Sequence, residues 1–282
     1  MMRFRSIGPG DQPWMNACRD LNRNPFTALS FASLFTWRNA YGLTVAGDED
    51  FFVIHSQHDR AYYCPCGDAG KCMRFIRETS RTEREAHFLY LTRGQAAELR
   101  GEGVQILMRD DLSEYIFDAC SLALMEGHHA SNSYKMKVRH FRNAYPYSCR
   151  PLTEEDTPFL RLLSRDWPDM NRFGDAGVLR DEIDYFGPLS LQGTLLETAD
   201  GRHAYILGYE NRPDEFTMTM TKHDPSLPAQ VTAVLTCELA CQLSGRYRLI
   251  NLEEDLGIAG LRQAKLLYSP VDRLNVYEAF MI

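Results

Sequence analysis

Hydrophobic and polar positions repeat with two periods along the chain, and the switches between them mark its elements. In the first half the pattern predicts a helix over 24–41, strands over 43–45, 51–55 and 61–64, and a helix over 71–79. A strand over 87–91 follows, then a helix capped by Thr92 with Gln95 three residues on, and a strand over 115–120. The second half predicts strands over 189–197, 203–210 and 215–221, a long helix over 230–243, a strand over 247–252, a helix from 258 and a closing strand over 275–282. Between the strand at 247–252 and its helix stand three acids, Glu253, Glu254 and Asp255. Asp255 is the expected N-cap of that helix and Ser269-Pro270 its stop.

The two halves open alike. Arg5-Ser6-Ile7-Gly8-Pro9-Gly10-Asp11-Gln12-Pro13-Trp14-Met15 can be laid on Arg150-Pro151-Leu152-Thr153-Glu154-Glu155-Asp156-Thr157-Pro158-Phe159-Leu160, sharing Arg, then Asp six on, then Pro and an aromatic. The offset is 150 − 5 = 145 residues, and each copy reads as strand, turn and a helix with proline in its first turn. The order strand, helices, antiparallel strands, helix, strand, helix, strand is that of the acyl-CoA N-acyltransferase (GNAT-like) fold. The expected fold class is therefore α/β with a mixed sheet, duplicated in tandem, with an N-terminal half over 1–145 and a C-terminal half over 146–282.

The run from Asn251 to Pro270 carries a resemblance. Asn251-Leu252-Glu253-Glu254-Asp255-Leu256-Gly257, then Leu261-Arg262-Gln263-Ala264-Lys265, then Tyr268-Ser269-Pro270 resembles the signature of the phosphatidylglycerol lysyltransferase C-terminal-domain family, with Leu252 where the family usually has arginine. Phe35-Thr36-Trp37-Arg38 with Tyr41, and Phe141, Tyr145, Pro146, Trp167, Glu182 and Gly193, also fall at family-like places. The resemblance implies a tandem acyltransferase fold and an aminoacyl-tRNA donor.

Composition adds bounds. With 31 Lys and Arg against 38 Asp and Glu, the net charge of −7 argues against a general nucleic-acid binder. No apolar run approaches a bilayer span and no signal-peptide core opens the chain, so the expected place is the cytoplasm, where the eight cysteines would be reduced. The charge is uneven: from Gly127 to Thr153 there is no acid, while Lys135, Lys137, Arg139, Arg142 and Arg150 all fall inside, with His128, His129 and His140.

These features set the candidate site. A carboxylate cluster where a strand hands over to a helix lies at the carboxyl edge of a sheet, where α/β proteins place their chemistry. Asn251, Glu253 and Asp255 are the expected catalytic residues, orienting and deprotonating an amine or hydroxyl acceptor. Arg262, Lys265 and Lys222 are expected to hold the donor's negative charge, and Lys135, Arg139 and Arg142, recurring at helical spacing, to bind an anion such as a tRNA acceptor end or a lipid headgroup. No cofactor or metal is assigned: Cys64, Cys66 and Cys72 lack the paired spacing of a zinc site. The donor is an aminoacyl-tRNA or an acyl-CoA, although the turn 222–228 has two prolines and no glycine where a pyrophosphate cradle would lie. The competing expectation is a non-catalytic module that keeps the fold and binds a small anionic ligand or peptide.

Overall fold

The computed structural model describes residues 2–101, 103–125, 129–165 and 175–282; Trp167 and His128 lie outside the described residues. The chain forms two compact units, neither of them a single run of sequence. The first holds the residues up to Leu112, a short segment ending at Val178, and Leu274–Ile282; the second holds Ser113–Pro168 and Leu179–Arg273.

The first unit begins with β1 (Arg5–Ser6), α1 (Gln12–Asn22) and α2 (Phe31–Tyr41). Three antiparallel strands follow, β2 (Leu43–Asp48), β3 (Phe51–Ser56) and β4 (Ala61–Gly67), then α3 (Ala69–Thr82), β5 (His87–Leu91) and α4 (Arg93–Glu98). Its sheet runs β1-β2-β3-β4-β5 and is completed by β12 (Asp272–Met281), which pairs antiparallel with β5. The predicted helix over 24–41 is split, because Asn24 ties its side chain to the backbone of Phe26 and Ser30 starts a fresh helix by accepting from Ser33 N.

In the second unit the last residues of β6 (Val104–Asp118) lead through α5 (Ala119–Leu122) to α6 (Asn132–Ala144), β7 (Tyr147–Pro151), α7 (Thr157–Arg165) and the last residues of α8 (Asp175–Asp184). A meander of β8 (Gln192–Thr198), β9 (His203–Arg212) and β10 (Glu215–His223) precedes α9 (Val231–Leu243), β11 (Leu249–Asn251) and α10 (Ala259–Leu267). The sheet order is β6-β11-β10-β9-β8-β7. Helix α9 is apolar over most of its circumference and is largely buried, forming the core with Phe117, Phe141, Phe216 and Ile250. Gly193 is required where β8 crosses β9, since a Cβ there would stand 2.3 Å from Ile206 O.

Both units carry the acyl-CoA N-acyltransferase element order, and the repeat seen in sequence recurs atom for atom. Arg5 clasps Asp11 with bonds of 2.8 and 2.6 Å, and Arg150 clasps Asp156 with the same two lengths. Asp11 accepts from Gly8 N at 2.8 Å as Asp156 does from Thr153 N at 2.9 Å. Each unit also has a parallel strand pair among the described residues, β4 with β5 and β10 with β11, in register over only two and three residues. Past Thr217 and Asn251, β10 and β11 no longer pair, so the sheet of the second unit opens at their carboxyl ends.

Candidate functional site

The second unit gathers a cluster of polar side chains at that opening. Asn251, the last residue of β11, is fully buried beside Glu114, Glu215 and Thr217. Its Nδ2 donates to Glu114 Oε2 at 2.6 Å and to Glu215 Oε1 at 3.3 Å; its Oδ1 accepts from Glu253 N at 2.7 Å. Asn211 Nδ2 and Arg212 complete the hydrogen bonding of Glu215. Asn251 thus fixes the backbone of Glu253, which takes a left-handed φ of 59° that costs a non-glycine residue energy. Leu256 and Gly257 are left-handed as well, so the chain coils before α10 begins.

That coil moves Asp255 away from its expected role. The N-cap of α10 is Ile258, and Asp255 lies inside the unit, fully buried. It accepts from Tyr115 OH at 2.6 Å, Gly257 N at 2.8 Å, and Arg262 Nε and an Arg262 Nη at 2.7 and 3.1 Å. Burial pushes this carboxyl up, but the bonds from Arg262 and Tyr115 outweigh it and hold the group below the usual carboxylate range. Lys265 donates to the backbone oxygens of Leu252 and Glu254 and lies over the Tyr115 ring. Burial lowers its pKa against the pull of Glu254, Glu253 and Asp255.

Glu253 is half-buried, and its carboxylate makes no hydrogen bond among the described residues. Burial, then the neighbouring charge of Glu254, pushes its pKa well up; Lys265, Glu114 and Glu182 are also within electrostatic reach. Glu182, from α8, is 4% exposed. Its Oε1 accepts from Thr219 Oγ1 at 3.1 Å, while its Oε2 has no partner among the described residues. Burial raises its pKa to about 7, with Thr219 and Lys222 pulling the other way. Two residues before Thr219, the buried hydroxyl of Thr217 is also without a partner. A protein interior rarely leaves such atoms unsatisfied, so each marks a place where structure or function has a further demand.

The structure therefore brings Asn251, Glu253, Asp255, Arg262, Lys265 and Lys222 into one neighbourhood. Sequence reasoning marked Glu182 only as family-like and passed over Glu114, Glu215, Asn211 and Thr217, whose convergence depends on strand register. Lys135, Arg139 and Arg142 share one side of α6, with Val138, Asn143 and Leu124, around a cleft of about 310 Å³. Arg142 is anchored there by Glu238 at 2.8 Å and Tyr147 OH at 3.0 Å. Cys64 and Cys66 are buried thiols directed to backbone carbonyls, with pKa values raised by burial.

The turn after β10 is closed by its own carboxylate: Asp224 accepts from Ser226 N at 2.8 Å and Ser226 Oγ at 2.6 Å. Its counterpart in the first unit is closed by Asp68, which accepts from Lys71 N at 2.9 Å. Neither turn offers these N–H groups to a pyrophosphate. Among the described residues, no helix is long and apolar enough to cross a membrane.

A search of curated proteins found no match. Among solved structures, a conserved protein of unknown function from Bacteroides thetaiotaomicron is 26% identical, covers all of both chains and superposes with a TM-score of 0.85. The C-terminal domain of a lysylphosphatidylglycerol synthetase from Agrobacterium fabrum, so described as putative, is 13% identical over 97% of this chain and 92% of its own, with a TM-score of 0.65. L-PGS from Bacillus licheniformis is 15% identical over 88% and 87%, with a TM-score of 0.61. The family model for the C-terminal region of phosphatidylglycerol lysyltransferase matches residues 22–280, and the chain belongs to that family.

Proposed function

We propose that this protein transfers an acyl or aminoacyl group to an amine or hydroxyl acceptor at the opening between β10 and β11. The observation that carries the reading is the buried polar cluster at that opening, in which Glu182 Oε2 and Thr217 Oγ1 have no hydrogen-bond partner among the described residues. Glu253 and Asn251 act as the reacting pair: Asn251 sets the position of Glu253, and the raised pKa of Glu253 suits a group that takes and returns a proton. Asp255 and Arg262 hold the coil in place through their paired bonds. Lys265 and Lys222 offset the acidic charge, and the cleft of Lys135, Arg139 and Arg142 holds the phosphates of the donor.

The closed turns at Asp224 and Asp68 favour an aminoacyl-tRNA over acyl-CoA as donor, in keeping with the family name and with the synthetase name of one structural relative. A lipid headgroup acceptor would be met at a bilayer surface. Incubating the protein with charged tRNA or acyl-CoA and several acceptors tests the proposal. Donor deacylation that is lost in Glu253→Gln supports it. Tight binding without turnover supports instead the inactive module, a reading favoured by the internal engagement of Arg262 and Lys265.

A further inference from the structure

We infer that the acceptor is a primary amine, received as an ammonium group by Glu182 Oε2 and Thr217 Oγ1, and that Glu182 takes its proton. This rests on the transferase reading and narrows it. The charges around the opening carry the argument. Asp255 is paired with Arg262, and Glu215 with Arg212 and two asparagine amides. Among the described residues Glu182 and Glu253 have no such ion pair: Lys222 and Lys265 reach them only through space, and Glu182 accepts a hydrogen bond only from the neutral hydroxyl of Thr219. A hydroxyl acceptor would bring one donor hydrogen and no charge into this excess of carboxylates. An ammonium brings three donors and a positive charge in direct contact, which neither lysine supplies to Glu182.

The chemistry balances. The ammonium gives one proton to Glu182 Oε2, and the freed nitrogen lone pair attacks the carbonyl carbon of the donor ester. The C–N bond forms and the C–O bond breaks. Glu253 takes the nitrogen's second proton and returns it to the leaving oxygen, so the products are an amide, the free hydroxyl and protonated Glu182, which returns its proton to solvent. The ammonium is the weaker acid of the two, so its proton reaches Glu182 uphill, and attack on the ester draws it over by consuming the freed amine.

The test needs no natural substrate. The full chain is titrated at pH 8 and fixed ionic strength with n-butylamine, n-butanol and tetramethylammonium, following thermal unfolding and calorimetric heat. The amine is expected to bind and stabilise; the alcohol and the N–H-free cation are not. Glu182→Gln should weaken the amine at least about tenfold, the usual cost of losing one charged hydrogen bond, and Thr217→Val should weaken it by a smaller factor. Equal effects of alcohol and amine, or amine binding unchanged in both variants, would overturn the inference. The two proposals fail separately. Turnover with a hydroxyl acceptor and no amine binding ends this inference and keeps the transferase; amine binding without turnover of any donor ends the transferase and keeps the ammonium subsite.

Discussion

Glu182→Gln should stabilise the empty protein, by an amount that depends on pH. The folded chain raises this carboxyl from 4.5 to about 7, chiefly by burying it with one partner. The unfolded chain releases the proton near 4.5, so between that value and about 7 the folded state binds more protons, and stability falls as pH rises. The gap is worth roughly 3 kcal/mol once both states have ionised. Glutamine has the same shape and never ionises. The variant and the parent should therefore match at pH 4.5, draw apart through pH 6, and differ by about 2–3 kcal/mol in favour of the variant above pH 7.5. Urea unfolding followed by circular dichroism at five pH values measures the difference. A gap that is constant with pH, or that favours the parent at pH 8, would show that Glu182 is neutralised by something the site already contains.

Three other outcomes follow from the same geometry. Arg262→Met leaves Asp255 buried without its ion partner and should cost about 3–5 kcal/mol in unfolding experiments, much of it recovered when Asp255→Asn is added. Deleting residues 274–282 removes Val276 and Ala279, both fully buried, from the first unit, so hydrogen exchange should show 1–112 unprotected. Cys241 is exposed, and a hydrogen bond from Cys237 lowers its pKa to about 7; among the described cysteines it should react first with iodoacetamide, its rate half-maximal near pH 7, while Cys64 and Cys66 stay protected until unfolding.

Much of this fold was legible because local rules agree with it. The Arg5–Asp11 and Arg150–Asp156 clasps follow from a six-residue spacing that any reader of the sequence can see, and the capping box of Thr92 and Gln95 forms as its pattern dictates. The basic side of α6 also follows from spacing, since Tyr134, Val138 and Phe141 turn inward at helical intervals. Other features had no local signal. Asp255 before a helical stripe has every mark of an N-cap, yet Arg262 and Tyr115 draw it inside, and Tyr115 lies 140 residues away. Strand β6 contributes Glu114 to a network built on β11, and nothing in either segment announces its partner. Patterning reports which face of a strand is buried; it carries no information about which strand lies beside it.

The two copies show how a duplicated frame acquires one polar site. In the first unit β5 ends at Leu91 and α4 starts at Arg93, with only Thr92 between, and the capping box consumes the available polar groups. In the second unit β11 ends at Asn251 and α10 starts at Ala259, so residues 252–258 intervene. Those residues are what bring Glu253 and Asp255 to the end of the strand, through left-handed turns at Glu253, Leu256 and Gly257. The partner strands differ in the same sense: β4 places Cys64 and Cys66 there, thiols that stay protonated, whereas β10 places Thr217 and Thr219. Strain of the kind held at Glu253 persists only where surrounding contacts over-determine it, and here Asn251, itself fixed by Glu114 and Glu215, supplies them. Replacing Asn251 with leucine should therefore release Glu253 from its left-handed turn and leave two buried carboxylates short of a donor, with loss of stability and of site geometry together. Asn251→Asp keeps the size of the side chain and the acceptor for Glu253 N. It loses the amide donor and adds a third negative charge beside Glu114 and Glu215, so crystal structures of the two variants would separate the steric contribution of this residue from its hydrogen-bonding one.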